Sequence, residues 1–152
     1  MYESMLDDTD RKILEECIKN SRQSYREISR NIGVSPGTVV SRMNDMEDQG
    51  IIKKYTIQLD YEKLGYDLTA ITEVTVSDGM IEETGKEIKK LSKAQAVYNI
   101  TGDSDIIVIA KFRNRSELSK FTKTILKLQY VERTKTHLVL INLQEDFSML
   151  HT

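Results

Sequence analysis

Apolar positions recur at helical spacing through the first third of the chain and then switch to the alternation of strands. Ile13, Leu14, Cys17 and Ile18 share one side of a predicted helix over Asp8–Asn20, with acidic residues in its first turn. Ser24-Tyr25-Arg26-Glu27 has the spacing of a capping box and opens a short helix with Ile28 and Ile32 inward, closed by Gly33. A third helix is predicted over Ser35–Gln49. Ser35 caps its free N–H groups, Pro36 suits its first position, and Gly50 suits a left-handed stop. Val39, Met43 and Met46, with Gly50, line one side of it, leaving Thr38, Val40, Ser41, Arg42 and Asn44 facing outward.

From Asp67 onward the period changes. Leu68–Val76 reads as a strand, and Ile81, Gly85, Ile88 and Leu91 mark a helix. Ala96–Thr101 and Ile106–Phe112 read as strands around a tight turn. Leu118, Phe121, Ile125 and Leu128 mark a second helix, and Val131–Leu143 a long final strand. The order β-α-β-β-α-β is the ferredoxin-like arrangement, two helices on one face of an antiparallel sheet. The fold class expected is α+β: a three-helix domain over residues 1–57, a connector over 58–66, and the ferredoxin-like domain over 67–152. Ile106, Val108, Ala110 and Phe112 fall on one sheet face and Ile107 and Ile109 on the other, so a second apolar face needs a cover. The same sheet of a second copy is the simplest cover, giving a homodimer; domain one or the C-terminal tail is the other candidate.

Helix, glycine-containing turn, then a helix that begins with small polar residues is the helix-turn-helix pattern, whose second helix enters the DNA major groove by its N-terminal half. Double-stranded DNA is therefore the expected partner. Ser35–Gln49 would be the recognition helix, with Gly37 at its DNA-facing start and Thr38, Ser41 and Arg42 reaching base edges. Ser35 and Arg26 would touch phosphates. Lys53 and Lys54, in the β-branched run Ile51–Tyr55, would do the same from a strand or small wing.

Charge tempers this picture. Residues 1–57 hold nine Lys or Arg against ten Asp or Glu, and the remainder thirteen against fourteen, so neither half is basic. Phosphate contacts would be few, and pairing of two copies would have to supply the missing affinity. The single cysteine, Cys17, excludes an internal disulfide and a cysteine zinc site, and it belongs to an apolar stripe. No apolar run reaches membrane-spanning length and the acidic N-terminus does not read as a signal peptide, so a cytoplasmic protein without a membrane partner is expected.

For a small ligand, the turn Thr101-Gly102-Asp103-Ser104-Asp105 is the best candidate. Its N–H groups suit a carboxylate, and Asp103 or Asp105 an ammonium group, which together fit an amino acid. The plainer reading is an ordinary hairpin turn, where Gly, Asp and Ser are favoured by geometry. No catalytic residue, metal ligand set or cofactor is expected: nothing near Asp103 and Asp105 supplies a histidine or nucleophile, His137 lies in a strand and His151 in the tail, and no phosphate-binding glycine loop occurs.

Taken in order, Asp10-Arg11-Lys12-Ile13-Leu14, Ser24-Tyr25-Arg26-Glu27-Ile28, Gly33-Val34-Ser35-Pro36 and Glu47-Asp48-Gln49-Gly50-Ile51-Ile52, then Val97-Tyr98, Thr101-Gly102-Asp103-Ser104-Asp105 and a last strand with Thr134 and Thr136, resemble the Lrp/AsnC family of transcription regulators. The resemblance spans essentially the whole chain. It implies an N-terminal winged helix-turn-helix and a C-terminal domain that senses an effector and dimerises. It also implies dimers that assemble into rings or octamers, and amino acids as effectors, held between dimers near the loop matching Gly102–Asp105. Asn44 and Asp45 depart from the more basic recognition helices of the family. Sirohaem decarboxylases share the two-domain layout and are the enzyme alternative.

Overall fold

A computed structural model describes residues Leu6–Ser148. The chain forms two compact units, one through Gln58 together with the segment from Gln144, the other Leu59–Leu143. The segment after Leu143 thus groups with the first unit, where Gln58 Nε2 donates to the Glu145 carbonyl at 3.1 Å.

In the first unit, α1 (Asp8–Lys19), α2 (Tyr25–Ile32) and α3 (Pro36–Asp48) each begin at a residue whose side chain accepts a free N–H: Asp7, Ser24 and Ser35. Asp7 with Asp10 and Ser24 with Glu27 form complete capping boxes. Gly33 closes α2 at φ +75°. The buried core is Ile13, Ile28, Val39, Met43 and Met46, walled by Leu14, Cys17, Ile32, Val34, Ile51 and Ile52. Cys17 is half-buried against this core, its Sγ 3.9 Å from Met43 Sδ, and burial pushes its thiol pKa up. Ile18, expected on the same inward stripe, is exposed because the stripe runs out at the last turn of α1.

The expected wing strand at Ile51–Tyr55 does not form. With Gly50 at φ +71°, the N–H groups of both Ile51 and Ile52 turn back to the Met46 carbonyl, and the two side chains enter the core. That geometry stops α3, and the described residues of this unit offer no neighbouring strand to pair with those that follow.

The second unit is a four-stranded antiparallel sheet in the order β2-β3-β1-β4, from β1 (Leu68–Val76), β2 (Ala94–Asn99), β3 (Ile106–Phe112) and β4 (Val131–Leu138). Helices α4 (Ile81–Lys89) and α5 (Arg115–Leu126) share one core with Ala70, Val74, Ile106, Val108, Ala110 and Phe112 through Ile88, Phe121 and Ile125. The connections are those of the ferredoxin-like fold. β4 stops at Leu138 rather than Leu143. Val139 N–H still reaches Thr69 O at 2.9 Å, but beyond it only Leu68 of β1 remains, too little to extend the pairing. On the face away from the helices, Ile71, Ile107 and Ile109 are only half-buried and Tyr98 is exposed, in register with one another across β1, β3 and β2.

Candidate nucleic-acid interface and ligand loop

Helix α3, the expected recognition helix, is positioned from behind. Val39, Met43 and Met46 anchor one side of α3 in the core, and helical geometry turns Gly37, Val40, Ser41 and Asn44 outward, all exposed. Ser35 serves first as the cap: its Oγ accepts the Thr38 N–H at 3.1 Å and lies 2.9 Å from Thr38 Oγ1. These two hydroxyls therefore meet each other at the start of the helix, with Ser35 exposed and Thr38 half-buried. Ser41 and Asn44 form no side-chain hydrogen bond among the described residues and stand open to an incoming ligand.

Arg42 does not join that face. Its Nη1 lies 2.8 Å from Asp7 Oδ2 and 3.3 Å from Asp10 Oδ2, so the guanidinium closes onto the start of α1. Asp10 is almost fully buried and also accepts the Asp7 N–H in the capping box. Asp7 is held below the usual carboxylate range, first by the Asp10 N–H it accepts and also by Arg42. The sequence placed Arg42 at base edges; the structure makes it the clasp between α1 and α3. Arg26, Lys53 and Lys54 are exposed, the two lysines on irregular chain rather than on a strand.

The turn after β2 is more committed than its composition suggested. Asp105 accepts the Val76 N–H on Oδ2 at 2.8 Å, while its own N–H donates to Val74 O and its carbonyl accepts the Ile100 N–H. The Asp105 carboxylate thus ties the turn to the end of β1 through one of its two oxygens. Ser104 is buried and donates to Glu73 Oε2 at 2.9 Å; Glu73 Oε1 in turn lies 2.8 Å from His137 Nε2. The His137 contact, followed by that of Ser104, lowers the pKa of Glu73. Gly102 adopts φ +118°, a conformation few other residues accept, and leaves Thr101 and Asp103 exposed at the tip. Asp103 is the open carboxylate of the turn. The bridge Ser104–Glu73–His137 was missed in the sequence, because it joins a turn to two strands and becomes visible only once Glu73 and Lys135 are known to be in register.

Comparison with known proteins decides what this pair of units is. A family model described as winged helix-turn-helix DNA-binding matches residues 6–53, and one described as the Lrp/AsnC ligand binding domain matches residues 69–149. The chain belongs to the Lrp/AsnC family. This Lrp/AsnC protein is a DNA-binding transcriptional regulator with a ligand-binding domain. An uncharacterized HTH-type transcriptional regulator of Pyrococcus horikoshii is 46% identical over 144 residues, 95% of this chain and 97% of that protein. Escherichia coli AsnC superposes with TM-score 0.87 at 26% identity, covering 93% of this chain and 97% of that one. A transcriptional regulator of Neisseria meningitidis solved as a complex with L-Met superposes with TM-score 0.87 at 26% identity, covering 95% and 96%. Two of the three are named transcriptional regulators and the other AsnC, and none supports the sirohaem-decarboxylase alternative. Among the described residues no helix is long and apolar enough to cross a membrane.

Proposed function

We propose that this Lrp/AsnC regulator acts in the cytoplasm as a homodimer or higher assembly that reads promoter DNA with the outward face of α3 and answers to an amino acid at the 101–105 turn, without catalysing a reaction. The observation that carries the DNA reading is the bare face of Gly37, Val40, Ser41 and Asn44, exposed and free of side-chain hydrogen bonds among the described residues while the opposite side of the same helix is fully buried. Thr38 and Ser41 face the bases and Ser35, Arg26, Lys53 and Lys54 the phosphates. Two copies place two such helices in successive major grooves about 34 Å apart or a multiple of it.

Dimerisation is supported by the apolar sheet face around Ile71, Ile107 and Ile109 and by the exposed Leu140, Ile141 and Leu143 beyond β4. The amino-acid reading is supported by the L-Met complex of the Neisseria relative and by the turn itself: Gly102 opens it and Asp103 offers a carboxylate to an ammonium group. An effector shifts DNA affinity only by binding one assembly better than another.

The deciding experiment is a gel-shift titration on DNA upstream of the protein's own gene against scrambled competitor at two salt concentrations, with and without the twenty amino acids. Retardation that is specific, salt-sensitive and shifted by one amino acid is expected. Equal retardation of scrambled DNA under every condition would defeat the reading.

A further inference from the structure

The helix layer of the second unit carries charge that the α3 interface and the ligand loop leave unused. Residues 81–93 and 113–127 hold nine Lys or Arg against four Asp or Glu, a surplus of five in a chain whose net charge is −2. The DNA-reading unit lacks such an excess: residues 1–58 hold nine basic side chains against ten acidic ones, and Arg42 is already bound to Asp7 and Asp10.

Because α4 and α5 cover the same sheet face and share its core, their exposed sides form one surface. On α5, Lys120 and Lys123 are exposed, and with the exposed C-cap Lys127 they follow at intervals of three and four, a single stripe about 10 Å long. None of the three forms an ion pair among the described residues. The only acid of α5, Glu117, is turned away from them toward Lys93 Nζ and the Arg113 N–H. On α4, Lys86, Lys89 and the C-cap Lys90 border a groove of about 720 Å³ that faces Leu128, Gln129 and Tyr130. Lys90 is paired with Glu87; Lys86 and Lys89 are in no ion pair among the described residues.

We propose that the α4–α5 surface is a second, sequence-independent DNA contact that takes the phosphate backbone of duplex flanking the site read by α3. Its cations are chiefly lysines, which bind phosphate as point charges and carry no planar fork for reading bases. Duplex DNA bears a negative charge for about every 1.7 Å of its axis, so the α5 stripe alone spans several phosphates. Flanking duplex is covalently continuous with the target and therefore present at high effective concentration once α3 has docked, which favours it over a free acidic protein.

The test uses the full-length regulator and a Lys120→Ala/Lys123→Ala/Lys127→Ala variant. Affinity is measured across a salt series on a duplex that just covers the recognition site and on the same site within a longer duplex. On the long duplex the slope of log affinity against log salt should fall by about 2 to 3, since each lost phosphate contact removes about 0.9. On the short duplex the two proteins should bind alike, which keeps this outcome separate from failure of α3 itself. Lys123→Glu, a single exposed change, should lower the long-duplex slope by about 1 or more, with melting temperature and assembly size as controls. An unchanged slope on the long duplex overturns the proposal and leaves the surface to an acidic protein partner.

Discussion

Replacing Gly37 with alanine separates what the first unit needs in order to fold from what it needs in order to bind. Gly37 is the second residue of α3 and, unlike Gly33 and Gly50, has no positive φ. A Cβ built there meets only Ser35 Oγ, at 3.8 Å, an ordinary van der Waals distance. Nothing within the protein requires glycine. Alanine is the better helix former by up to about 1 kcal/mol, less near a helix start. A domain of this size gains roughly 4–8 °C in melting temperature per kcal/mol, so Gly37→Ala should melt a few degrees higher. In the DNA complex proposed above, the same methyl group would enter the space between α3 and the groove. Overpacking a close-fitted contact costs about 1–3 kcal/mol, or about 5- to 150-fold in Kd. Thermal melting and gel-shift titration on one preparation read both effects. A variant that melts higher and binds specific DNA as tightly as the parent removes Gly37 from the interface, and one that melts lower refutes the packing argument.

Thr38→Ala combined with Ser41→Ala should reduce the ratio of specific to scrambled binding while leaving the salt slope unchanged, because hydroxyls read base edges without releasing counterions. Arg42→Ala should lower the melting temperature, since it leaves the buried Asp10 without its cation, and should weaken specific and scrambled DNA alike; selective loss of specific binding would return Arg42 to the base edges. Asp103→Asn should weaken amino-acid binding in calorimetry with melting unchanged, whereas Asp105→Asn should lower the melting temperature because Asp105 holds the Val76 N–H; the reverse pattern would exchange their roles. Asp7, Glu16 and Glu27 all have depressed pKa values in the folded chain. Their contribution to stability is therefore complete above the unfolded carboxylate range, about pH 4–4.5, and is lost as pH falls through the lower folded values. Acid melts of Asp7→Asn/Glu27→Gln should show a shallower loss below that pH than the parent.

Elements governed by local chemistry were legible in the sequence. Caps, proline and glycine stops delimit α2 and α3, and alternation delimits Leu68–Val76 and Ile106–Phe112, because each depends on residues a few positions apart. What escaped depends on partners far along the chain. Ile51–Tyr55 has strand composition, but a strand needs a neighbour and the described residues of the first unit supply none. Leu140 to Leu143 alternate well enough, but β1 offers them nothing beyond Leu68. Arg42 faces outward on a helical wheel, yet its long side chain reaches round to Asp10, 32 residues earlier. Asp105 looks like a free turn carboxylate until Val76, 29 residues away, is placed beside it. The family resemblance rested on the order of many weak local signals, and so it survived these errors of detail.

The division of labour within α3 bears on how such a regulator diversifies. Its structural duties fall on Ser35, Val39, Arg42, Met43 and Met46, while Gly37, Val40, Ser41 and Asn44 owe the fold nothing but helical backbone. Substitutions at exposed helix positions without partners usually change stability by no more than about 0.5 kcal/mol. On the DNA reading proposed above, Ser41 and its exposed neighbours are thus the residues most free to vary, and a duplicated copy of this gene could move to a new target by a few steps without passing through an unfolded intermediate.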